Sequence, residues 1–201
     1  MKKSILYKYT LFIIGAFFLG VGIGISDAAN LGVDPMSVMI LGASRHLPIT
    51  FGMTNFVLSL VQIAISYFLD KKNITLATLL AMLFTSLGID SVQLLGISNI
   101  SVPWNYVLLL AGFLLYCFAC ALSQFPRCGY NSYDCVIFGF MKHTNKPYHF
   151  IRWFLDGFYL LAGWYLGGTI GIGTVVVILF AGYIIEYSGK LIRKILPDPS
   201  K

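Results

Sequence analysis

Six long apolar runs, near residues 9–28, 51–69, 74–97, 105–125, 149–166 and 171–189, constrain what this chain can become. At about 1.5 Å per residue, each run is long enough as a helix to cross a hydrocarbon core of roughly 30 Å. Lipid offers the backbone no hydrogen-bond partners, so such runs fold as helices that satisfy their own amides. Hydrophobic residues make up 58% of the 201 and charged residues 11%, leaving no stretch for a soluble domain. Residues 1–201 therefore read as one integral membrane domain, with the lipid bilayer as its first partner. The opening "MKKSILYKYTLFIIGAFFLGVGIGISDAA" has the basic start and apolar centre of a secretory signal, with Ala28 and Ala29 as a weak cleavage site. Its apolar run is longer than a typical signal core and recurs internally, so it reads as a retained first helix.

Two short segments interrupt this plan. Residues 31–42 read "LGVDPMSVMILG" and residues 128–139 read "CGYNSYDCVIFG", 97 positions apart. As helices, Met36–Leu47 and Ser132–Lys142 reach only about 17 Å, roughly half the core. Suppose both enter and leave on one side, with the N-terminus in the cytoplasm. The cytoplasmic side then holds Lys2, Lys3, Lys8, Lys71, Lys72, Arg127, Lys142, Lys146, Arg152, Lys190, Arg193, Lys194 and Lys201, and only Arg45 lies outside. If both segments spanned, Lys71, Lys72 and Arg127 would move outside. The excess of Lys and Arg in cytoplasmic loops favours re-entry and places both termini in the cytoplasm. The outer connections "GISNISVPWN" and "LGGTIGIG" carry no Lys or Arg.

The expected fold is thus an all-α membrane protein with six transmembrane helices and two re-entrant half-helices. Each half, about 9–97 and about 105–192, has three crossings, an odd number, so the second half is inverted relative to the first. At the offset of 97, Gly15 pairs with Gly112, Gly32 with Gly129, Ile40 with Ile137, Gly42 with Gly139 and Leu69 with Leu166. After a one-residue slip, Thr78 pairs with Thr174 and Asp90 with Glu186. Two inverted repeats with broken helices are a recurrent plan in transporters.

Broken backbone at membrane depth is tolerated only inside protein or beside a watery cavity. Gly32, Pro35 and Gly129 are the expected structural breaks. Half-helices starting at Met36 and Ser132 would present free amides and partial positive charge to a polar solute. Asp34, Ser37, Asn131, Ser132 and Asp134 are the candidate substrate-binding residues. Capping alone offers a plainer account of Asp34 and Asn131. Asp134 could bind a cation, carry a proton or repel anions, or simply bond neighbouring backbone or Arg127. Arg152 and Asp156 are one turn apart and read as an intrahelical ion pair. Asp27, Asp90 and Glu186 lie near helix ends, as vestibule residues or as interfacial acids.

Other signals argue against other chemistries. The net charge of +6 is spread over short loops and forms no nucleic-acid patch. Cys117 and Cys120 have a metal-pair spacing, but they sit in an apolar helix without a second pair, and Cys128 and Cys135 add no framework. His46, His143 and His149 lie in or beside loops, without metal-site spacing, and read as solvated. "GASRH" and "NSYDC" contain nucleophile-type side chains with no base placed beside them, so an enzyme is not expected, nor a metal or cofactor. "LGGTIGIGT" lacks the Lys of a phosphate-binding loop and reads as a tight turn. Ala16, Gly20, Gly24 and Ala28 form a small-residue stripe that suits close helix packing, to a neighbouring segment before a second subunit.

"LGVDPMSVMILG", "CGYNSYDCVIFG" and "LGGTIGIGT", in this order and spacing, resemble the YczE/YyaS/YitT group of bacterial integral membrane proteins, nearest its YczE side. The resemblance covers nearly the whole chain. It implies a multi-pass fold in the bacterial cytoplasmic membrane and brings no settled substrate. Its members often carry an acidic residue where this chain has Ser37, which leaves Asp134 as the acidic representative. The expected function is a small-solute transporter or channel with its central site at the half-helix starts, acting on an unidentified small polar solute. The alternative is a membrane-embedded accessory or solute-binding subunit of a larger complex. A homodimer or a partner membrane protein stays open.

Overall fold

Each break in the apolar pattern ends or begins a helix in the computed structural model, which describes residues 2–96 and 104–197. The helices are α1 (Lys2–Ala28), α2 (Pro35–Ser44), α3 (Phe51–Asp70), α4 (Leu76–Leu94), α5 (Trp104–Gln124), α6 (Ser132–Thr144), α7 (Tyr148–Tyr165) and α8 (Ile172–Ile195), with one 3-10 turn at Lys71–Asn73. Most of the expected outer connection at residues 96–105, and Lys201, fall outside the described residues. Asp34, Thr50 and Thr75 cap α2, α3 and α4 by accepting from the backbone amides of Ser37, Met53 and Thr78.

The expectation of six spans is met in part. Five helices, α1, α3, α4, α5 and α8, are long and apolar enough to cross a membrane. The remaining expected span, the fifth run, corresponds to α7, which has 18 residues but carries His149, Arg152 and Asp156. These polar residues line a cavity, so apolarity alone does not mark this helix as a span.

The two breaks use different backbone devices. Gly32 has φ +98°, and a Cβ on it would lie 2.5 Å from the amide nitrogen of Gly171. Only glycine fits there. Gly129 has no positive φ, but a Cβ on it would lie 2.5 Å from Thr75 Oγ1 and 2.6 Å from the Ala77 Cβ. Its absent side chain lets the chain ahead of α6 reach the start of α4.

Helix α1 packs along both α4 and α5, α8 lies on α5, and α3 lies on α4; α2 rests on α7 and α6 on α3. The small-residue stripe of α1 faces α4. A Cβ on Gly20 would strike the Thr85 carbonyl, and one on Gly88 would strike the Phe17 carbonyl. Thr85 Oγ1 donates across the crossing to the Ala16 carbonyl at 3.1 Å. Close backbone approach of this kind stabilises helix pairs in lipid, where apolar side chains gain little from meeting one another. Gly88→Ala should therefore destabilise by about 1–3 kcal/mol, the usual cost of overpacking. A lowered unfolding temperature in detergent would register it, and an unchanged one would contradict the crossing.

Polar contacts gather at two ends of the bundle. At one end Lys142 meets Asp70 at 3.2 Å and His143 Nε2 donates to the Leu69 carbonyl at 2.9 Å. At the other, His46 Nε2 donates to the Leu166 carbonyl at 3.0 Å, and Arg45 donates to Thr169 Oγ1 at 2.8 Å and to the Gly167 carbonyl. A carbonyl only accepts, so both imidazoles carry their proton on Nε2. His46 and His143 are exposed, as expected, but each closes the C-terminal end of a neighbouring helix.

Candidate functional site

The interrupted segments meet at one cavity of about 610 Å³, a size suited to small organic ligands. Asp34, Pro35 and Ser37 reach it from the start of α2, and Asn131, Ser132 and Asp134 from the start of α6. All five candidate binding residues therefore share one space. Gly32 and Gly129 stand behind it, at the breaks themselves.

The two starts are finished differently. Asp34 Oδ2 accepts from the Ser37 amide at 3.1 Å, so capping accounts for this residue. Asn131 occupies the matching cap position of α6, yet its side chain makes no cap bond and its Oδ1 is buried without a partner. The plain capping account thus holds for Asp34 and fails for Asn131. A buried acceptor left unpaired is costly, and such atoms call for a water or a ligand. Asp134, whose plainer expected role was to bond backbone or Arg127, accepts from Tyr148 Oη at 2.8 Å.

Several residues that line the cavity or brace it from behind were not anticipated. Gln62, 1% exposed, accepts from Ser132 Oγ at 2.8 Å and donates to Tyr159 Oη at 2.9 Å, tying α3 to the start of α6 and to α7. Asn55 donates to Ser86 Oγ at 2.9 Å, joining α3 to α4. On α7, Arg152 Nε lies 3.6 Å from Asp156 Oδ2, the intrahelical pair expected from spacing, and Tyr133 Oη donates to Asp156 Oδ1 at 2.6 Å. Arg152, counted with the cytoplasmic charges in the sequence, lines the cavity.

The sequence held a signal for the inward face of α3. Asn55, Ser59, Gln62 and Ser66 recur at helical spacing within an otherwise apolar run, and all four are buried. Such a polar stripe on a spanning helix faces protein or water, not lipid. Among the remaining acids, Asp90 accepts from Thr50 Oγ1 at 2.7 Å and the Gly52 amide at 2.8 Å, binding α4 to the start of α3. Glu186 pairs with Lys190 at 2.8 Å and lines a second cavity of about 840 Å³. Gln124, Asn131, Asp134, Tyr148 and Arg152 line both cavities, which are therefore contiguous, and Arg127 and Arg193 edge the second. Cys117 is buried with Phe113 and Ala181, as a small apolar side chain would be.

A bundle of apolar helices around a polar interior defines a multi-pass helical membrane protein. The chain belongs to a family of unknown function, DUF6198, whose profile matches residues 6–190. Its relatives include the uncharacterized membrane protein YczE of Bacillus subtilis (strain 168), 20% identical over 192 residues that make up 94% of this chain and 88% of YczE. An uncharacterized protein of Haemophilus influenzae is 24% identical over 177 residues, 88% of this chain and 81% of that protein. The uncharacterized protein YyaS of Bacillus subtilis is 22% identical over 183 residues, 89% of this chain and 90% of YyaS. The resemblance to YczE and YyaS read from the motifs thus holds over nearly the full length. No solved structure matches the chain.

Proposed function

We propose that this protein is a small-solute transporter of the bacterial cytoplasmic membrane, with two re-entrant half-helices in inverted repeats and its binding site where they meet. The observation that carries the reading is the single cavity lined by the starts of both α2 and α6. Reciprocal contacts support the repeat. Gly42 packs on Leu166 and Gly139 on Leu69, with the added Cβ 2.8 Å from the leucine Cβ in both cases. His46 meets the Leu166 carbonyl and His143 the Leu69 carbonyl. Asn30 and Arg127 share φ 52°. Gln62 and Tyr159, themselves 97 apart, bond each other, as a pair straddling a two-fold axis would.

The halves differ where a carrier needs them to differ. α3 and α4 pack together, joined by Asp90 and by the Asn55–Ser86 bond. Their counterparts α7 and α8 stand apart, and the cavity lies between them, reached from Trp153 and Asp156 on one side and Ile178 and Gly182 on the other. Continuity with the second cavity, which is lined by Arg127 and Lys190, fits access from that end in one state of an alternating-access cycle. Exchange of the two arrangements would give the other state. A pore open at both ends would not need this asymmetry.

Purified protein in liposomes should show saturable uptake of a small polar solute. Gly182→Trp should abolish it: a Cβ there meets nothing within 4 Å, so the indole would fill the opening without disturbing the core. Absence of flux for a broad solute panel, with a folded protein and a co-purifying membrane partner, would favour the accessory-subunit reading instead.

A further inference from the structure

We infer that the cavity takes a small organic monocation, a compact ammonium group presented to the two half-helix starts; the inference rests on the reading of this cavity as a binding site. Its first ground is charge. Asp34, Asp134, Asp156 and Arg152 are the Asp, Glu, Lys and Arg side chains that line the space among the described residues. Arg152 and Asp156 answer each other at 3.6 Å, leaving Asp34 and Asp134. Each of these sits at the start of a helix whose terminus carries about +0.5 charge. When both are ionised, two carboxylates against two such termini leave roughly one negative charge, which one cation balances. An anion here would face both carboxylates, with the one guanidinium of this cavity already paired and Arg127 and Arg193 at the edge of the adjoining one.

Hydrogen-bond accounting points the same way. The hydroxyls of Ser132, Tyr133 and Tyr148 all donate within the protein, to Gln62, Asp156 and Asp134. Acceptors are left over. Asp34 and Asp134 each have one oxygen engaged through the bonds described, and Asn131 Oδ1 has no partner at all. A ligand that answers these three oxygens brings donors or positive charge to them. The wall also presents aromatic faces, from Tyr116, Tyr133, Tyr148 and Trp153. Aromatic faces attract alkylammonium groups and suit them better than a strongly hydrated metal ion. Consistent with that, no group of three or more His, Cys, Asp or Glu among the described residues is placed to hold a metal.

The test uses the full-length protein in detergent, with tetramethylammonium, tetraethylammonium and choline as probes. 3,3-Dimethylbutanol serves as the neutral counterpart of choline and acetate as an anion. Calorimetric titration and the shift in unfolding temperature give the affinities. At least one ammonium probe should bind ten-fold or more tightly than the neutral compound, and D34N/D134N should weaken it ten-fold or more. Asparagine can still accept from the Ser37 amide and the Tyr148 hydroxyl, and gel filtration checks that the variant stays folded. Equal binding of choline and its neutral counterpart, tighter binding of acetate, binding unchanged in a folded D34N/D134N variant, or no ammonium binding would each overturn the inference. Flux separates this result from the transport reading. Ammonium binding without uptake in liposomes would leave the ligand class standing and remove the carrier, whereas uptake of anionic or neutral solutes that ammonium ions do not inhibit would do the reverse.

Discussion

Gln62→Leu lowers stability by about 2–5 kcal/mol, because it leaves two buried hydroxyls, Ser132 and Tyr159, without the partner each now has. An unsatisfied buried polar group costs roughly 1–3 kcal/mol, and leucine supplies neither donor nor acceptor. Gln62 is 1% exposed, so water does not readily stand in. The same reasoning predicts recovery: Q62L/S132A/Y159F removes the orphaned groups along with their partner and should unfold at a higher temperature than Q62L alone. Thermal unfolding of the unsubstituted protein, Q62L and the triple variant in one detergent decides it. A single variant no less stable than the triple variant would mean that Gln62 does not organise the junction of α3, α6 and α7.

Arg152→Met should cost about 2–4 kcal/mol, below the full penalty for breaking a buried pair because the cavity keeps both side chains partly accessible. Their side-chain exposures are 30% and 22%. The loss comes less from missing attraction than from Asp156 left charged beside an apolar helix, with only the Tyr133 hydroxyl for support. Arg152→Met combined with Asp156→Asn should recover most of the stability, since asparagine can still accept from Tyr133. If the double variant is no better than the single one, Arg152 matters through its contact with Tyr148 or through packing, and not through Asp156.

How much of this was legible in the sequence depends on whether the signal was periodic or three-dimensional. Apolar run length marks five spans, and the short runs after Pro35 and Ser132 mark two half-length helices, because both follow from the residues a helix needs in lipid. The five candidate residues could be chosen together because the break and the first turn of each half-helix are local features. Charge counting placed Arg152 on the cytoplasmic side, and neither that count nor the apolarity of the fifth run could show that Arg152 and Asp156 on α7 line a cavity. The stripe of Asn55, Ser59, Gln62 and Ser66 was visible but passed over, since isolated small polar residues in a long apolar run look tolerable one at a time. Nothing local could reveal that Asn131 leaves its cap unmade or that Tyr148 meets Asp134. Those facts depend on how α6 and α7 settle against each other.

Single cysteines at positions 34 and 131, in a background with Cys117, Cys120, Cys128 and Cys135 replaced, test the shared watery path most directly. A membrane-impermeant thiol reagent is applied from each side, with cysteines at Leu47 and Lys146, both exposed, as controls for the two ends. Both positions should react from the side that labels Lys146, and a transported solute should shift their reactivity toward the side that labels Leu47. If positions 34 and 131 stay unreactive from both sides while the controls label, the half-helix starts are packed structure and no solute passes between them.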